Sequence, residues 1–205
     1  IEGARVAFGS ERPLVDAMQR RVLEEHSDLL GVYTGWEPQA FDASDAAFVG
    51  TPGHDASGRY VPYWNRAAGT ISVEPLVDYD KPGAGDYYQQ PKRTGKPYLA
   101  EPYEYVVAGR KILITSLVQT ILEDGRFRGI VGVDISLDEM SARMASIKPF
   151  GVGRITALTG SGLVVADADP ARAGAAATTL PAALKSALAE GRSLLDSGED
   201  GMVHA

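Results

Sequence analysis

The sequence contains no cysteine, no cluster of basic residues and no long apolar run. The lack of cysteine excludes thiol chemistry, disulfides and zinc–thiolate sites. The net charge of −7, without a basic cluster, argues against a nucleic-acid partner. No segment reaches the roughly 18 consecutive apolar residues of a membrane span. The histidines, at positions 26, 54 and 204, lack the spacing of metal ligands, so we expect no metal site and no other cofactor.

What is present is the composition of a soluble globular protein. The 205 residues are 44% hydrophobic and 23% charged, which is enough apolar surface to form a core. The chain begins without methionine and ends in alternating apolar residues, which is typical of a strand interior. We therefore expect it to be an excised part of a longer protein, whose anchoring segments lie outside it.

The N-terminal half predicts a helix followed by a hairpin. Apolar residues recur every three or four positions within 11–30, which indicates an amphipathic helix. Residues 59–66 and 70–77 are aromatic and β-branched and are separated by a turn, so we predict a β-hairpin. Pro62 favours an edge or bulged position for the first of these strands.

The C-terminal half continues with strands and short helices. A turn-dense segment at 78–86 leads into a predicted helix at 87–95. Strands are predicted at 98–107, 110–122 and 126–135, a helix at 137–147, further strands at 152–159 and 162–167, a helix near 181–190 and a strand at 193–196. The order indicates an α+β fold of antiparallel sheets with helices packed at one face.

The segment 87–139 contains a family pattern. "DYYQQPKRTGKPYLAEPYEY", "KILITSLVQTI" and "GRFRGIVGVDISLDEM" together resemble the membrane-distal module of a double Cache sensor domain. Such domains form the extracytoplasmic part of bacterial methyl-accepting chemotaxis proteins and of some histidine kinases and diguanylate cyclases. The resemblance implies an N-terminal helix followed by two PAS-like modules, the second one incomplete. It assigns 1–30 to the end of the signalling helix, 31–149 to the ligand-binding distal module and 150–205 to the start of the membrane-proximal module.

The resemblance also implies partners and a location. The family forms homodimers in the inner membrane, senses small molecules on the periplasmic side and signals to a cytoplasmic domain through transmembrane helices. Members that bind amino acids resemble this chain at Tyr87-Tyr88, Tyr103 and Asp134. Gly85 and Tyr105 stand where that pattern has Arg and Asp, which removes a guanidinium and half of an acid pair.

The resemblance and the residue chemistry together predict a binding site. Asp134 lies in an apolar strand, where it would accept hydrogen bonds from a ligand or, alternatively, cap the following helix or pair internally. Arg66 would anchor a ligand carboxylate or, alternatively, stack on Trp64 at the surface. Lys92 would supply a second positive charge or, alternatively, stay solvated. The expected aromatic walls, which alternatively are core or rim packing, are Tyr63, Trp64, Tyr87, Tyr88, Tyr103 and Tyr105.

The predicted function is a non-catalytic sensor of a small carboxylate-bearing metabolite, either an organic acid or an amino acid. One alternative is a sensor of an amine or quaternary ammonium ion, caged by the same aromatic residues. A second is a Cache module that binds no small molecule. The alternative of another class is a secreted hydrolase that uses Glu101 or Asp134.

Overall fold

The computed structural model describes residues 12–177, 180, 182–190, 196–197 and 203–204. The first 11 residues of the predicted signalling helix, and most of the predicted strand at 193–196, lie outside this part of the chain. Contacts between Cα atoms divide the chain into two compact units, Ile1–Ser136 and Leu137–Ala205.

The first unit contains two helices and seven strands among the described residues. In chain order they are α1 (Arg12–Glu25), β1 (Gly31–Trp36), β2 (Pro62–Asn65), β3 (Ser72–Pro75), α2 (Asp86–Thr94), β4 (Tyr98–Leu99), β5 (Tyr103–Val107), β6 (Arg110–Glu123) and β7 (Arg126–Ser136). The second unit contains α3 (Leu137–Ser146), β8 (Ala157–Leu158), β9 (Val164–Ala166), α4 (Ala182–Glu190), β10 (Asp196–Ser197) and β11 (Val203–His204). The α+β prediction is confirmed.

The strands of the first unit form one antiparallel sheet. Its order is β3-β2-β1-β7-β6-β4, and β5 also pairs with β6. The predicted hairpin of β2 and β3 is confirmed. Pro62, however, is the first residue of an interior strand, because β1 and β3 pair with β2 on either side. The edge-strand interpretation of Pro62 was therefore wrong; the first position of a strand also tolerates proline.

The β6–β7 hairpin closes through the two-residue turn that the sequence indicates. Asp124 and Gly125 have φ angles of 52° and 73°, between the paired residues Glu123 and Arg126. Two consecutive positive φ values characterise the type I′ turn, whose twist matches that of the flanking strands. The turn sets the pairing of Leu122 with Phe127, and a one-residue bulge next to Ile121 then shifts the register of β6 against β7, so that Ser116 lies opposite Asp134.

Helix α1 covers one face of the sheet, but it is shorter than predicted. Its buried residues include Val15 and Leu23, whereas Met18 is 38% exposed. The helix ends at Glu25 instead of residue 30. The Arg66 side chain, which follows β2, donates to the carbonyl oxygens of Leu23 and His26 at this end. These bonds satisfy carbonyls that a helix C-terminus leaves without intrahelical partners.

A buried arginine joins the start of α1 to the loop that follows β1. The Arg12 guanidinium donates to both carboxylate oxygens of Asp42 at 2.9 and 2.6 Å, and to Asp45 at 2.7 Å. It also donates to the carbonyl of Gly58 at 3.1 Å and lies 4.0 Å from the ring centroid of Phe48. Since both acids are nearly buried, each charge in this cluster depends on its partners.

The second unit begins with α3 at Leu137. Ser141 of α3 accepts a hydrogen bond from the backbone N–H of Asp167, at the end of β9. The Asp167 carboxylate in turn accepts from Thr156 at 2.6 Å and from Arg172 at 2.8 Å. These bonds group α3 with the later strands, a pairing that the local helix signal does not reveal.

We predict that Arg12→Ala lowers the free energy of unfolding of the first unit by about 3 kcal/mol, because it leaves two nearly buried carboxylates without their cation. Arg20→Ala is the control: it removes an exposed pair with Glu24 and should cost less than about 0.5 kcal/mol. Urea titration followed by tryptophan fluorescence measures both, because Trp36 and Trp64 both lie in the first unit. Equal losses in the two variants would contradict the prediction.

Candidate functional site

Asp134 is a buried carboxylate in the centre of the sheet. Its residue is 2% exposed, and β7 places it directly opposite Ser116 on β6 and Gly31 on β1. The Ser116 hydroxyl donates to Asp134 Oδ1 at 2.6 Å, and the hydroxyls of Ser116 and Tyr103 lie 2.8 Å apart. Because the Ser116 proton is used by Asp134, Tyr103 is the donor in the second bond. Two hydroxyls thus form a chain that ends on the carboxylate.

Burial raises the pKa of Asp134 from 3.8 to about 6. Hydroxyl groups of Ser116, Tyr63 and Tyr33 act in the opposite direction, and no basic side chain is among the groups that lower this pKa. A buried carboxylate usually has a cation as its partner. Asp134 has hydroxyls in that position.

Tyrosine rings surround Asp134 on the same face of the sheet. We call them the tyrosine cluster: Tyr33, Tyr63, Tyr87, Tyr103 and Tyr105. Four of them form a closed set of edge-to-face contacts, Tyr33 to Tyr63 to Tyr105 to Tyr87 and back to Tyr33, with centroids 5.8–5.9 Å apart. Tyr103 joins through Tyr105 at 6.1 Å. Four of the six residues predicted as aromatic walls, Tyr63, Tyr87, Tyr103 and Tyr105, belong to this cluster, where the rings pack against one another.

Two glycines make room for these rings. A Cβ atom at Gly132 would lie 2.4 Å from Cζ of Tyr33, and one at Gly31 would lie 2.3 Å from Cε2 of Tyr63. Both distances are far below van der Waals contact, so a larger residue would displace the rings. Gly132, two positions before Asp134, is therefore needed because the Tyr33 ring crosses β7 at that position.

The hydroxyls of the tyrosine cluster differ in their hydrogen-bond partners. Tyr87 donates to the carbonyl of Val77 at 2.8 Å, and Tyr105 accepts from the N–H of Val77 at 3.0 Å. The hydroxyls of Tyr33 and Tyr63 are buried and face Asp134, but neither has a hydrogen-bond partner of good geometry among the described residues. Two polar atoms next to the acid thus retain hydrogen-bonding capacity.

Five predicted site residues meet here, but Trp64 and Arg66 do not. Tyr63 and Trp64 are consecutive in β2, so their side chains point to opposite faces. Trp64 Nε1 donates to Asp16 of α1 at 3.1 Å. Arg66, which the sequence predicts as a cation over the pocket, instead donates to carbonyls at the end of α1. Trp64 and Arg66 share one face, as predicted, but this face packs against α1.

Tyr88 and Lys92 belong to a second group, which we call the Glu37 cluster: Glu37, Arg59, Tyr88 and Lys92. Lys92 Nζ lies 2.8 and 2.9 Å from the two carboxylate oxygens of Glu37, and the Tyr88 hydroxyl donates to the same carboxylate. Arg59 donates to the Tyr88 hydroxyl at 2.6 Å. Lys92 is therefore paired within the protein.

Sequence reasoning missed Tyr33, Ser116, Glu37 and Arg59. Tyr33 lies in the segment "GVYTGW", between Gly31 and Gly35, and this alternation of small and large residues was a usable signal for a ring lying across neighbouring strands. Ser116 has no local signal, because only the register of β6 against β7 places it opposite Asp134. The described residues contain no group of three or more acidic or histidine side chains arranged to hold a metal ion.

Known proteins match this chain over most of its length. The family model described as "Methyl-accepting chemotaxis protein-like, first PDC sensor domain" matches residues 15–142. Methyl-accepting chemotaxis protein TlpQ of Pseudomonas aeruginosa is 31% identical over 159 residues, which cover 70% of this chain and 22% of TlpQ. This chain therefore spans less than a quarter of that relative.

Two solved structures share the fold closely. The extracellular domain of histidine kinase mmHK1S-Z2 is 33% identical with a TM-score of 0.77, and the match covers 95% of this chain and 74% of that one. A structure named Methyl-accepting Chemotaxis protein X is 27% identical with a TM-score of 0.72, and covers 88% of this chain and 67% of that one. Across the described residues, no helix is both long and apolar enough to cross a bilayer.

The raised pKa of Asp134 predicts a specific pH dependence of stability. Between pH 4 and 6 the folded protein holds a proton that the unfolded chain, with a carboxyl pKa near 3.8, has released. Stability from this group is therefore lost as the pH rises. The free energy of unfolding of the wild type, minus that of Asp134→Asn, should fall by up to about 3 kcal/mol across this range.

Urea titrations of both proteins at pH 4, 5, 6 and 7 provide the measurement. The other carboxylates titrate in both proteins and cancel in the difference. A difference that stays constant from pH 4 to 6 would show that Asp134 has an ordinary pKa in the folded state, and one that increases would show a lowered pKa; either result contradicts the prediction.

Proposed function

We propose that the first unit of this chain, which belongs to the family of methyl-accepting chemotaxis protein-like first PDC sensor domains, binds a small organic cation for a transmembrane receptor. The Cache-type sensor expected from residues 87–139 is confirmed at the level of the family. Its relatives include both chemoreceptors and a histidine kinase, so the output domain is part of the proposal. We favour a chemoreceptor, since the matched family model and TlpQ both carry that description.

The observation that supports a cationic ligand is the environment of Asp134. The acid is buried, its pKa is raised, and the groups that lower that pKa are hydroxyls. A cation beside the carboxylate would supply the missing countercharge and favour the ionised form. The faces of the surrounding tyrosine rings would add cation–π attraction, of about 2 kcal/mol where water is excluded.

A carboxylate ligand fits these contacts less well than the amine alternative does. Its charge would face Asp134, and the two cations predicted to oppose it have other partners: Arg66 at the end of α1 and Lys92 on Glu37. An amino acid could pair its ammonium group with Asp134, but its carboxylate group would lack a guanidinium partner. We therefore propose the amine alternative in place of the carboxylate-bearing metabolite.

Ligand access to Asp134 depends on helix α2. Tyr87 is the cluster member that α2 carries, whereas Tyr33, Tyr63, Tyr103 and Tyr105 come from the strands. The rings of Tyr33, Tyr63, Tyr105 and Tyr87 contact one another in a closed circuit, with neighbouring centroids 5.8–5.9 Å apart. We propose that the ligand enters when α2 moves away from the sheet and that the rings then close around the cation.

The remaining parts of the proposal concern the whole receptor. The first unit would lie in the periplasm as the membrane-distal module, and residues 150–205 would begin the membrane-proximal module. Homodimerisation and coupling to a cytoplasmic signalling domain would follow through segments outside this chain. Binding can shift the receptor only by the difference in the ligand's affinity for its two states. A tenfold preference contributes about 1.4 kcal/mol.

The hydrolase alternative has less support. Paired carboxylates that cleave glycosides flank one bond. Glu101 is exposed, whereas Asp134 is buried among tyrosines, so the two acids do not share one solvent environment. We propose that the unit is not catalytic. A module that binds no small molecule remains as an outcome of the binding experiment.

We predict that tetramethylammonium, choline and 1,4-diaminobutane include at least one ligand that raises the melting temperature of the protein, whereas acetate and pyruvate do not. A ligand at 100 times its Kd stabilises the folded state by about 2.7 kcal/mol. Asp134→Asn should lower the affinity at least roughly tenfold, because it removes the countercharge. Thermal shift identifies the ligand, and isothermal titration calorimetry gives the affinity.

The controls separate the two charges. Asp124→Asn changes an exposed carboxylate in the β6–β7 turn, and Arg66→Ala changes the cation at the end of α1; both should leave the affinity unchanged. Binding of acetate or pyruvate that survives Asp134→Asn and is lost in Arg66→Ala would overturn the cation proposal. No binding by any compound in a broad metabolite library would favour the module without a small-molecule ligand.

A further inference from the structure

Helix α2 carries two adjacent tyrosines that belong to different clusters. Tyr87 contacts Tyr33 and Tyr105 of the tyrosine cluster, while Tyr88 donates to Glu37. Any displacement of α2 therefore acts on both clusters at once. The contacts that hold Tyr88 therefore also help to hold Tyr87 against the rings of Tyr33 and Tyr105.

Glu37 is fixed to the sheet at the end of β1. Its backbone N–H donates to the carbonyl of Arg128 on β7 at 2.7 Å. Its carboxylate receives the Lys92 ammonium at 2.8 and 2.9 Å and the Tyr88 hydroxyl. One side chain thus connects the sheet to two residues of α2 that lie four positions apart, one turn along the helix.

Arg59 also contacts the Tyr88 hydroxyl that donates to Glu37. Its guanidinium donates to the carbonyl of Trp36 and to the Tyr88 hydroxyl, and lies 4.6 Å from the ring centroid of Tyr79. Arg59 is buried, and its Nη2 is 3.7 Å from the Glu37 carboxylate. Within the Glu37 cluster, Glu37 is therefore the acid that faces two cations, Arg59 and Lys92. Burial raises its pKa, but donation from Lys92 and Tyr88 outweighs burial, so the pKa is lowered overall.

Two further polar contacts tie α2 to its own preceding loop. Tyr87 donates to Val77, and Gln89 donates to the carbonyl of Tyr79 at 2.6 Å. That loop is in turn held near its start, where Tyr79 donates to Asp55 at 2.6 Å. Residues 77–94, which we call the loop–helix segment, are thus fixed to the rest of the unit at one end by Tyr79 and over the helix by Glu37.

We propose that Glu37 is a latch that holds the loop–helix segment closed over the tyrosine cluster, and that its release from Tyr88 and Lys92 opens the path to Asp134. Removing the Glu37 charge leaves Arg59 and Lys92 close together without their shared anion. The helix end of the segment then loses its ion pair with Glu37 and keeps the bond from Arg59 to the Tyr88 hydroxyl, while the Tyr79 end keeps its own tie to Asp55. The latch is a property of the ligand-free protein and rests on the proposed function only for what enters.

Hydrogen–deuterium exchange of the ligand-free protein tests the latch. In Glu37→Gln and in Lys92→Gln, the amides of residues 87–95 should exchange roughly three- to tenfold faster than in the wild type, since a half-exposed charged pair is lost. The double variant should exchange no faster than the faster single variant, because both changes break the same ion pair between Glu37 and Lys92. Lys92 is 42% exposed, so Lys92→Gln provides the test even if Glu37→Gln fails to fold.

The matched control is Glu104→Gln, which removes the exposed pair of Glu104 with Lys111 at 2.9 Å on the same sheet. It should leave exchange of residues 87–95 unchanged. Two outcomes would overturn the latch: unchanged exchange in both Glu37→Gln and Lys92→Gln, or an increase spread equally through β6 and β7, which would make Glu37 a general stabiliser of the unit.

A second measurement separates the latch from the proposed ligand class. Stopped-flow mixing with tetramethylammonium, or another cation that binds, should show faster association and faster dissociation in Lys92→Gln, by similar factors. Faster exchange in the variants without binding of any organic cation supports the latch and removes the cation proposal. Cation binding with unchanged rates and unchanged exchange supports the cation proposal and overturns the latch.

Discussion

The first unit is organised around one carboxylate that is buried without a cation. Asp134 lies at the middle of β7, where Ser116 is the neighbour on one side and Gly31 on the other. Its only described donor of good geometry is a serine hydroxyl, and its pKa is raised to about 6. The tyrosine cluster, the two glycines that admit its rings and the helix above them all follow from covering this acid. An ordinary core would place an aliphatic residue there, so the arrangement costs stability, and this cost is the basis for the proposed binding role.

Alternation along the chain connects this site to both sides of the sheet. In β2, Tyr63 belongs to the tyrosine cluster while Trp64 donates to Asp16 of α1. In α2, Tyr87 packs against Tyr33 of the tyrosine cluster while Tyr88 contacts Glu37. Two pairs of consecutive residues thus place the site in direct mechanical contact with the N-terminal helix and with the latch. A cation that spreads the rings would displace β2 and α2 together, which offers α1 a route to respond.

The sequence predicted elements and site chemistry where the signal is local. The Glu123-Asp124-Gly125 turn, the helix at 87–95 and the acid in an apolar strand all depend on neighbouring residues, and each is observed. The face of a residue relative to its partners is not local information. Trp64 and Arg66 share a face as predicted, but only the packing of α1 shows that this face lies away from Asp134.

Long-range register and charge pairing account for the rest. Ser116 reaches Asp134 because of strand pairing, and Lys92 is neutralised by a glutamate 55 positions earlier in the chain. No window of sequence contains either contact. The grouping of α3 with the second unit has the same origin: the helix at 137–146 follows β7 directly, yet its polar contact is with residue 167.

The most direct test is a carboxyl-carbon NMR titration of Asp134, assigned by comparison with Asp134→Asn, in the presence and absence of a bound organic cation. The account predicts a pKa near 6 in the free protein. It predicts a decrease of at least about one pH unit when the cation is bound, since a tenfold preference for the ionised form corresponds to that shift. A free-protein pKa near 3.8, or a pKa near 6 that the bound cation leaves unchanged, would contradict it.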